Sequence, residues 1–158
     1  MLNSLGKFIG LGFGSGLSPL APGTAGSLVA VFIYYLITLV AGGIAPYILV
    51  ALILLGAPLG IWATGLLVTD ADPDPGRAVW DEFVGMWITC LFLPATIPWL
   101  AAAFFTFRVF DVFKPWPARR LESWHGGLGI MADDVVAGIY GIALLAVFQL
   151  VWAWQSQG

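Results

Sequence analysis

The stretch FVGMWITCLFLPATIPWLAAAFFTF, Phe83 to Phe107, decides how this chain is folded. By length it reads as a single membrane span of roughly 25 residues. Its middle, Pro94-Ala95-Thr96-Ile97-Pro98, argues otherwise. Two prolines four apart with a threonine between them remove two backbone donors and favour a turn over a kink. As a hairpin, each arm has about 11–14 residues and reaches roughly 16–21 Å. That falls short of the roughly 30 Å hydrocarbon core, so the arms must be buried among other helices or thin the bilayer. A hairpin also leaves the polar segments Asp70 to Glu82 and Arg108 to Asp134 on one membrane face, where they can share a site. A single span would separate them.

The surrounding sequence favours the hairpin. The chain has 158 residues, 60% of them apolar and 9% charged. A soluble domain of this size cannot cover its surface with so few charges. Lys7 is the only charged residue outside Asp70 to Asp134. With the hairpin, all six Lys and Arg fall on one side, which the positive-inside tendency makes cytoplasmic. Six cations against a net charge of −3 leave no basic footprint for nucleic acid. Cys90 is alone in an apolar run, which excludes an intrachain disulfide and a cysteine-based zinc site. The glycine-rich N-terminus does not read as a cleaved signal peptide.

Five apolar segments are expected: Leu28 to Val40, Ile44 to Val68, Phe83 to Leu93, Trp99 to Phe107 and Val135 to Trp154. Gly42-Gly43 separates the first two as a tight helical turn. The fold class predicted is an all-α integral membrane bundle of about five transmembrane or half-membrane helices. It forms a single domain over residues 1–158, with an N-terminal glycine-rich re-entrant loop.

The chemistry concentrates in two adjacent carboxylate pairs, Asp81-Glu82 and Asp133-Asp134, each read as opening an apolar helix. One acidic residue suffices for capping and dipole compensation. Two pairs are more than that task needs, and like charges so close require neutralisation. A divalent cation supplies it, and magnesium prefers such hard oxygen ligands. Gly85 and Gly138, one turn in from each pair, allow two helices to approach and bring the pairs face to face. Arg108 and Asp111 share a helix face and can pair, or Asp111 can be a further ligand. Pro115 and Pro117 stop that helix and present Trp116 at the interface. Lys114, Arg119 and Arg120 then sit at headgroup level, as a positive-inside anchor or as contacts to a phosphate.

Other elements carry two readings each. His125, the only histidine, is flanked by glycines and is either a surface residue or part of the site. The run Gly10 to Ser27 holds six glycines and three serines. It can cradle phosphate with backbone amides, or merely pack, with Thr24 or Ser27 as a helix cap. No Gly-Lys-Ser/Thr follows, so it is not a P-loop. Asp70-Ala71-Asp72-Pro73-Asp74-Pro75-Gly76 matches a calcium loop poorly, because glycine falls at the seventh place and prolines intervene. Leu67-Val68-Thr69-Asp70-Ala71-Asp72 faintly resembles an aspartyl-phosphate phosphatase start but has no Rossmann-like sheet around it. Asp70 to Asp74 therefore reads as a solvated acidic loop.

Taken together, several motifs resemble bacterial phosphatidylglycerophosphatase A. They are Gly14-Ser15-Gly16-Leu17-Ser18-Pro19, Ala21-Pro22-Gly23-Thr24-Ala25-Gly26-Ser27, Trp80 to Thr89, Phe107-Arg108 with Asp111, Lys114-Pro115-Trp116-Pro117, and His125 to Met131 with Asp133-Asp134 and Ala137-Gly138. They run in order along nearly the whole chain. The resemblance implies a magnesium-dependent, multi-pass phosphatase of the bacterial inner membrane. Its implied substrate is phosphatidylglycerophosphate, dephosphorylated to phosphatidylglycerol on the cytoplasmic face. The mechanism expected is attack by a metal-activated water, with a covalent aspartyl-phosphate route as the alternative. Asp81, Glu82, Asp133 and Asp134 would hold one or two Mg²⁺ ions, with Asp111 as an additional ligand. Arg108, Lys114 and Arg119 would bind phosphate oxygens, aided by the loop carrying Ser15 and Thr24, and His125 would protonate the leaving alkoxide. The competing class is a small transporter or channel with the acids as an ion path, whose carboxylates should lie at mid-membrane. Here they flank the apolar segments.

Overall fold

A computed structural model describes residues 1–121 and 123–155 of the chain. Among these residues the structure is all-helical. Helix α1 spans Leu2–Gly10, α2 Pro22–Ala41, α3 Ala45–Gly65, α4 Trp80–Cys90, α5 Ile97–Phe113, α6 Ala118–Leu121 and α7 Gly127–Gln155. The expected apolar segments correspond to α2, α3, α4, α5 and α7. The glycine-rich run divides into α1, a 3-10 turn over Gly12–Leu17 and the start of α2. In that turn Phe13 and Gly14 adopt φ of 57° and 97°, which reverses the chain.

Chain breaks fall where backbone chemistry demands them. α2 ends at Gly42, whose φ of 53° and ψ of −127° no helix can continue. α4 stops at Cys90 and α5 starts at Ile97, so the Pro94 to Pro98 region is a break between helices. Pro98 then sits in the first turn of α5, where its missing donor costs nothing. Gly85 of α4 lies against Phe107 of α5, so the two helices run antiparallel as a hairpin.

The short helix of that hairpin is the centre of the molecule. α4 has 11 residues, a length of about 16 Å. Every residue in it but Glu82 is buried. Around it stand α2, α3, α5 and α7. Trp87 Nε1 donates to Ala30 O in α2 at 3.0 Å, and Trp80 Nε1 donates to Gly56 O in α3 at 2.9 Å. These bonds satisfy two indole donors that would otherwise be orphaned in an apolar interior. Trp80, Phe83 and Trp87 pack on one another, with Trp80 and Phe83 stacked at 5.2 Å.

The tightest crossing is between α4 and α7. A Cβ at Gly138 would lie 2.5 Å from Gly85 O, and one at Gly85 would lie 2.7 Å from Asp134 O. A Cβ at Gly141 would meet Thr89 at 2.7 Å. Small residues thus let the backbones touch, as membrane helix pairs require in the absence of a hydrophobic drive between them.

One boundary differs from expectation in a way that matters. α7 begins at Gly127, one full pair of turns before the apolar run, so Asp133 and Asp134 do not open a helix. They lie inside it and are buried. Capping therefore cannot explain them, whereas Asp81 and Glu82 do stand in the first turn of α4.

Among the described residues, two helical stretches are long and apolar enough to cross a membrane. One is Pro22–Gly65, which is α2 and α3 joined through the Gly42 turn; the other is α7. Within the 18-residue apolar window of each, only 11% and 22% of the residues are buried inside the protein, unlike the core helices of a soluble domain. Their exposed faces carry Phe32, Leu54, Leu55, Phe148 and Trp152, and the protein is membrane-associated. Gly138→Leu should lower the unfolding midpoint in detergent, with an overpacking cost of about 1–3 kcal/mol. Ile139→Leu on the exposed face of the same turn should leave it unchanged, and differential scanning fluorimetry compares the two.

Candidate active site

The α4–α7 crossing sets the site. With Gly85 and Gly138 in contact, the turn on the N-terminal side of each holds Asp81-Glu82 and Asp133-Asp134 against each other. Carboxylate oxygens of Asp81, Glu82 and Asp134 all lie within 4.8 Å of one another. Asp81 and Asp134 are 8% and 3% exposed. Two like charges at this separation repel by at least about 3 kcal/mol at an effective dielectric constant of about 20. Three such pairs far outweigh the roughly 1 kcal/mol that a helix cap contributes.

The hydrogen bonding is equally telling. Asp81 Oδ1, Glu82 Oε2 and Asp134 Oδ2 are buried, and each lacks a hydrogen-bond partner among the described residues. Buried carboxylate oxygens normally find donors. Three clustered carboxylates, each with an unpartnered oxygen, suit a hard divalent cation, and the all-oxygen donor set fits Mg²⁺ or Ca²⁺ better than zinc. The three residues line a cavity of about 120 Å³. That is room for an ion with waters attached.

Two further acidic residues of the cavity, Asp133 and Asp111, are matched to cations. Lys114 Nζ lies 2.7 Å from Asp133 Oδ2, and Arg108 forms an ion pair with Asp111 one turn on in α5. Asp133 Oδ1 also accepts from the Asp134 backbone N–H at 3.1 Å. Lys114, Asp111 and Asp133 line the same cavity as the three clustered carboxylates. The α5 C-terminus delivers Lys114 there because the residue adopts φ of 44° as the helix ends ahead of Pro115.

Arg108 ties a third element to the site. Its Nη1 approaches Ser27 Oγ of α2 at 3.5 Å, and Ser27 in turn donates to Gly23 O at 2.9 Å. A Cβ on Gly23 would collide with Glu82 Oε1 and lie 3.2 Å from Arg108 Nη1. The first turn of α2 therefore leaves space that Glu82 and Arg108 fill.

Of the residues expected from sequence, the structure brings together Asp81, Glu82, Asp111, Asp133, Asp134 and Lys114, with Arg108 adjacent. Others lie elsewhere. Ser15 Oγ donates to Gly12 O at 2.8 Å and closes the 3-10 turn. Thr24 is half-buried in α2 and does not line the cavity. Arg119 and His125 are exposed, on α6 and on the loop before α7, and do not line it either. Sequence reasoning missed two contributors. Asp74, read as solvated loop, lines the cavity beside Gly76 and Ala78. Its signal was the flanking prolines: Pro75 is fully buried and anchors the loop over the site. Gly23 was the other; a glycine just after a helix-opening proline marks a close approach.

A family model described as phosphatidylglycerophosphatase A matches residues 8–149, which include every residue of this cavity. The chain is 45% identical over 141 residues to phosphatidylglycerophosphatase A of Escherichia coli strain K12, covering 87% of this chain and 79% of that protein. It is 39% identical over 152 residues to the protein of the same name from Haemophilus influenzae, covering 94% and 91%. A Bacteroides thetaiotaomicron protein provisionally named a phosphatidylinositol-3-phosphatase is 44% identical over 150 residues, covering 90% and 92%. No solved structure matches the chain.

The cluster predicts a sign reversal in stability. In chelator, Asp134→Asn should raise the unfolding midpoint, because it removes like-charge repulsion. In an excess of a hard divalent cation such as Mg²⁺ or Ca²⁺, a native protein whose cluster holds the ion should gain stability by mass action, and the variant should gain much less. Thermal scans with and without the ion read this directly. Equal responses of the two proteins to the ion would remove Asp134 from the ion site.

Proposed function

The chain belongs to the phosphatidylglycerophosphatase A family, and from that premise we propose that it hydrolyses phosphatidylglycerophosphate to phosphatidylglycerol and phosphate in a Mg²⁺-dependent reaction. The observation that carries this reading is the convergence of three unpartnered carboxylate oxygens in one buried cavity. Asp81, Glu82 and Asp134 would hold the ion. When bound, Mg²⁺ polarises phosphoryl oxygens and lowers the pKa of a coordinated water.

The chain's own side chains do the rest. Lys114 stands at the cavity wall, where it neutralises charge on the phosphate, and Asp133 keeps its ammonium aimed there. Asp111 does the same for Arg108. Burial of Asp81 and Asp134 keeps bulk water out and strengthens every charge interaction inside. Arg119, exposed on α6, meets the headgroup or the surface charge of the leaflet. Ser15 and Thr24 act through the shape of the N-terminal turn, since neither lines the cavity.

The topology that suits this chemistry is a single-domain, multi-pass protein of the bacterial inner membrane. α2, α3, α5 and α7 cross or nearly cross the bilayer, and α4 reaches only half-way. The Gly12–Leu17 turn packs beside α4 at the polar end, as a re-entrant element would. Arg108, Lys114 and Arg119 then share the end of the bundle that carries the acidic site, which the positive-inside tendency makes cytoplasmic. Asp81 and Glu82 stand in the first turn of α4, and Asp133 and Asp134 lie in the second turn of α7 at the same end of the bundle, so an ion path through mid-membrane finds no support. The provisional phosphatidylinositol-3-phosphatase name of one relative makes headgroup choice the open variable.

Phosphate release from phosphatidylglycerophosphate in detergent micelles, with Mg²⁺ or chelator, tests the reading. Asp81→Asn and Asp134→Asn should each lower turnover at least about a hundredfold, equivalent to about 3 kcal/mol, with folding intact. Near-native turnover in either would overturn the ligand assignment. His125→Ala should cost less than about tenfold, since the side chain is outside the cavity. Phosphatidylinositol 3-phosphate assayed in parallel reports the headgroup preference.

A further inference from the structure

An apolar groove of about 490 Å³ runs between α2 and α5 on the outer face of the bundle. Its walls are Leu28, Phe32 and Tyr35 on one side and Ile97, Ala101 and Phe105 on the other. We propose that this groove is the subsite for an acyl chain of the lipid substrate, so that the lipid enters sideways between α2 and α5. This rests on the lipid-phosphatase reading above.

Continuity with the polar site identifies the occupant. Leu28 directly follows Ser27, and Phe104 and Phe105 lie one turn before Arg108. The Arg108–Ser27 contact at 3.5 Å therefore closes the head of the groove. Just beyond it are Gly23 and the Glu82 carboxylate. Moving away from that contact, the groove descends two turns along α2 to Tyr35 and two along α5 to Ile97, where α5 begins at the hairpin break. Along both α2 and α5 the apolar trough thus adjoins the Arg108 guanidinium, which lies beside the carboxylate cluster. A molecule that matches it has an anionic head and an aliphatic tail, oriented as a phospholipid in its leaflet. A soluble phosphate ester would use the head and leave the trough empty. The size is within the usual range for a ligand site.

The groove separates chain recognition from chemistry, which makes it testable by chain length. Two substrates are compared in nonionic detergent: phosphatidylglycerophosphate with long acyl chains and its short-chain, water-soluble analogue. Ala101→Trp fills the trough from an exposed position. It should raise KM for the long-chain substrate about tenfold, the loss expected when a couple of methylenes are turned out of an apolar site. kcat/KM for the short-chain analogue should change less than about twofold. Ala143→Trp, on the exposed face of α7 away from the groove, should alter neither. Equal losses on both substrates would mean damage to the polar site, and an unchanged KM would mean that the chain lies in bulk lipid; either overturns the proposal. Should Ala101→Trp fail to fold, the native protein answers by itself. A long-chain substrate analogue with a photoreactive group in its tail should label residues 28–35 and 97–105, and labelling spread evenly over α3 and α7 would overturn the assignment. If the native protein releases phosphate from neither substrate, the lipid-phosphatase reading itself has failed, a result distinct from all of these.

Discussion

The close crossing of α4 and α7 at Gly85 and Gly138 is the constraint on which the site depends. Each glycine sits where any side chain would strike the other helix's backbone, at 2.7 and 2.5 Å. That contact brings Asp134 level with Asp81 and Glu82. With larger residues the helices would stand apart by the width of a side chain, and the three carboxylates would no longer converge. The repulsion among them is therefore sustained by packing elsewhere on α4: Thr89 against Gly141 of α7 further down, and the buried ring cluster of Trp80, Phe83 and Trp87.

A second consequence follows from the length of α4. A helix of 11 residues cannot reach across a bilayer, and its backbone ends must be satisfied inside protein. At its C-terminal end the following turn does this, with Leu91 N donating to Ile88 O at 3.1 Å and Leu93 N to Cys90 O at 3.3 Å, and the indole bonds to Ala30 and Gly56 pin the helix to α2 and α3. The result is a short, fully enclosed element whose first turn emerges at the polar end of the bundle. A carboxylate pair on such an element has a fixed position and little freedom to escape its neighbours into water.

Charge is distributed around the cavity in two ways. Asp133 and Asp111 have cationic partners, while Asp81, Glu82 and Asp134 converge with one unpartnered oxygen each. Paired groups gain from staying where they are, and the unpaired cluster gains only from a bound cation. Stability is conceded at one place, and a cation held by the cluster would recover it, a common arrangement where binding drives function.

The sequence alone determined the all-helical, membrane-associated class, because the apolar fraction and the confinement of charge leave no other way to solvate this chain. It also determined which residue types matter, since adjacent carboxylates beside small residues have few purposes in an apolar chain. Proline and glycine chemistry made the breaks at Gly42 and at Pro94 to Pro98 legible. Tertiary structure decided the rest. Only packing shows that α7 starts at Gly127 and buries Asp133 and Asp134 inside a helix, because an early polar turn carries no apolar period to reveal it. Only packing splits five acidic candidates into a cluster and two ion pairs, since the side chains facing each other come from helices far apart in sequence. The positions of His125 and Ser15 relative to the cavity were likewise invisible, because the path of a loop or turn depends on what its anchors find to pack against.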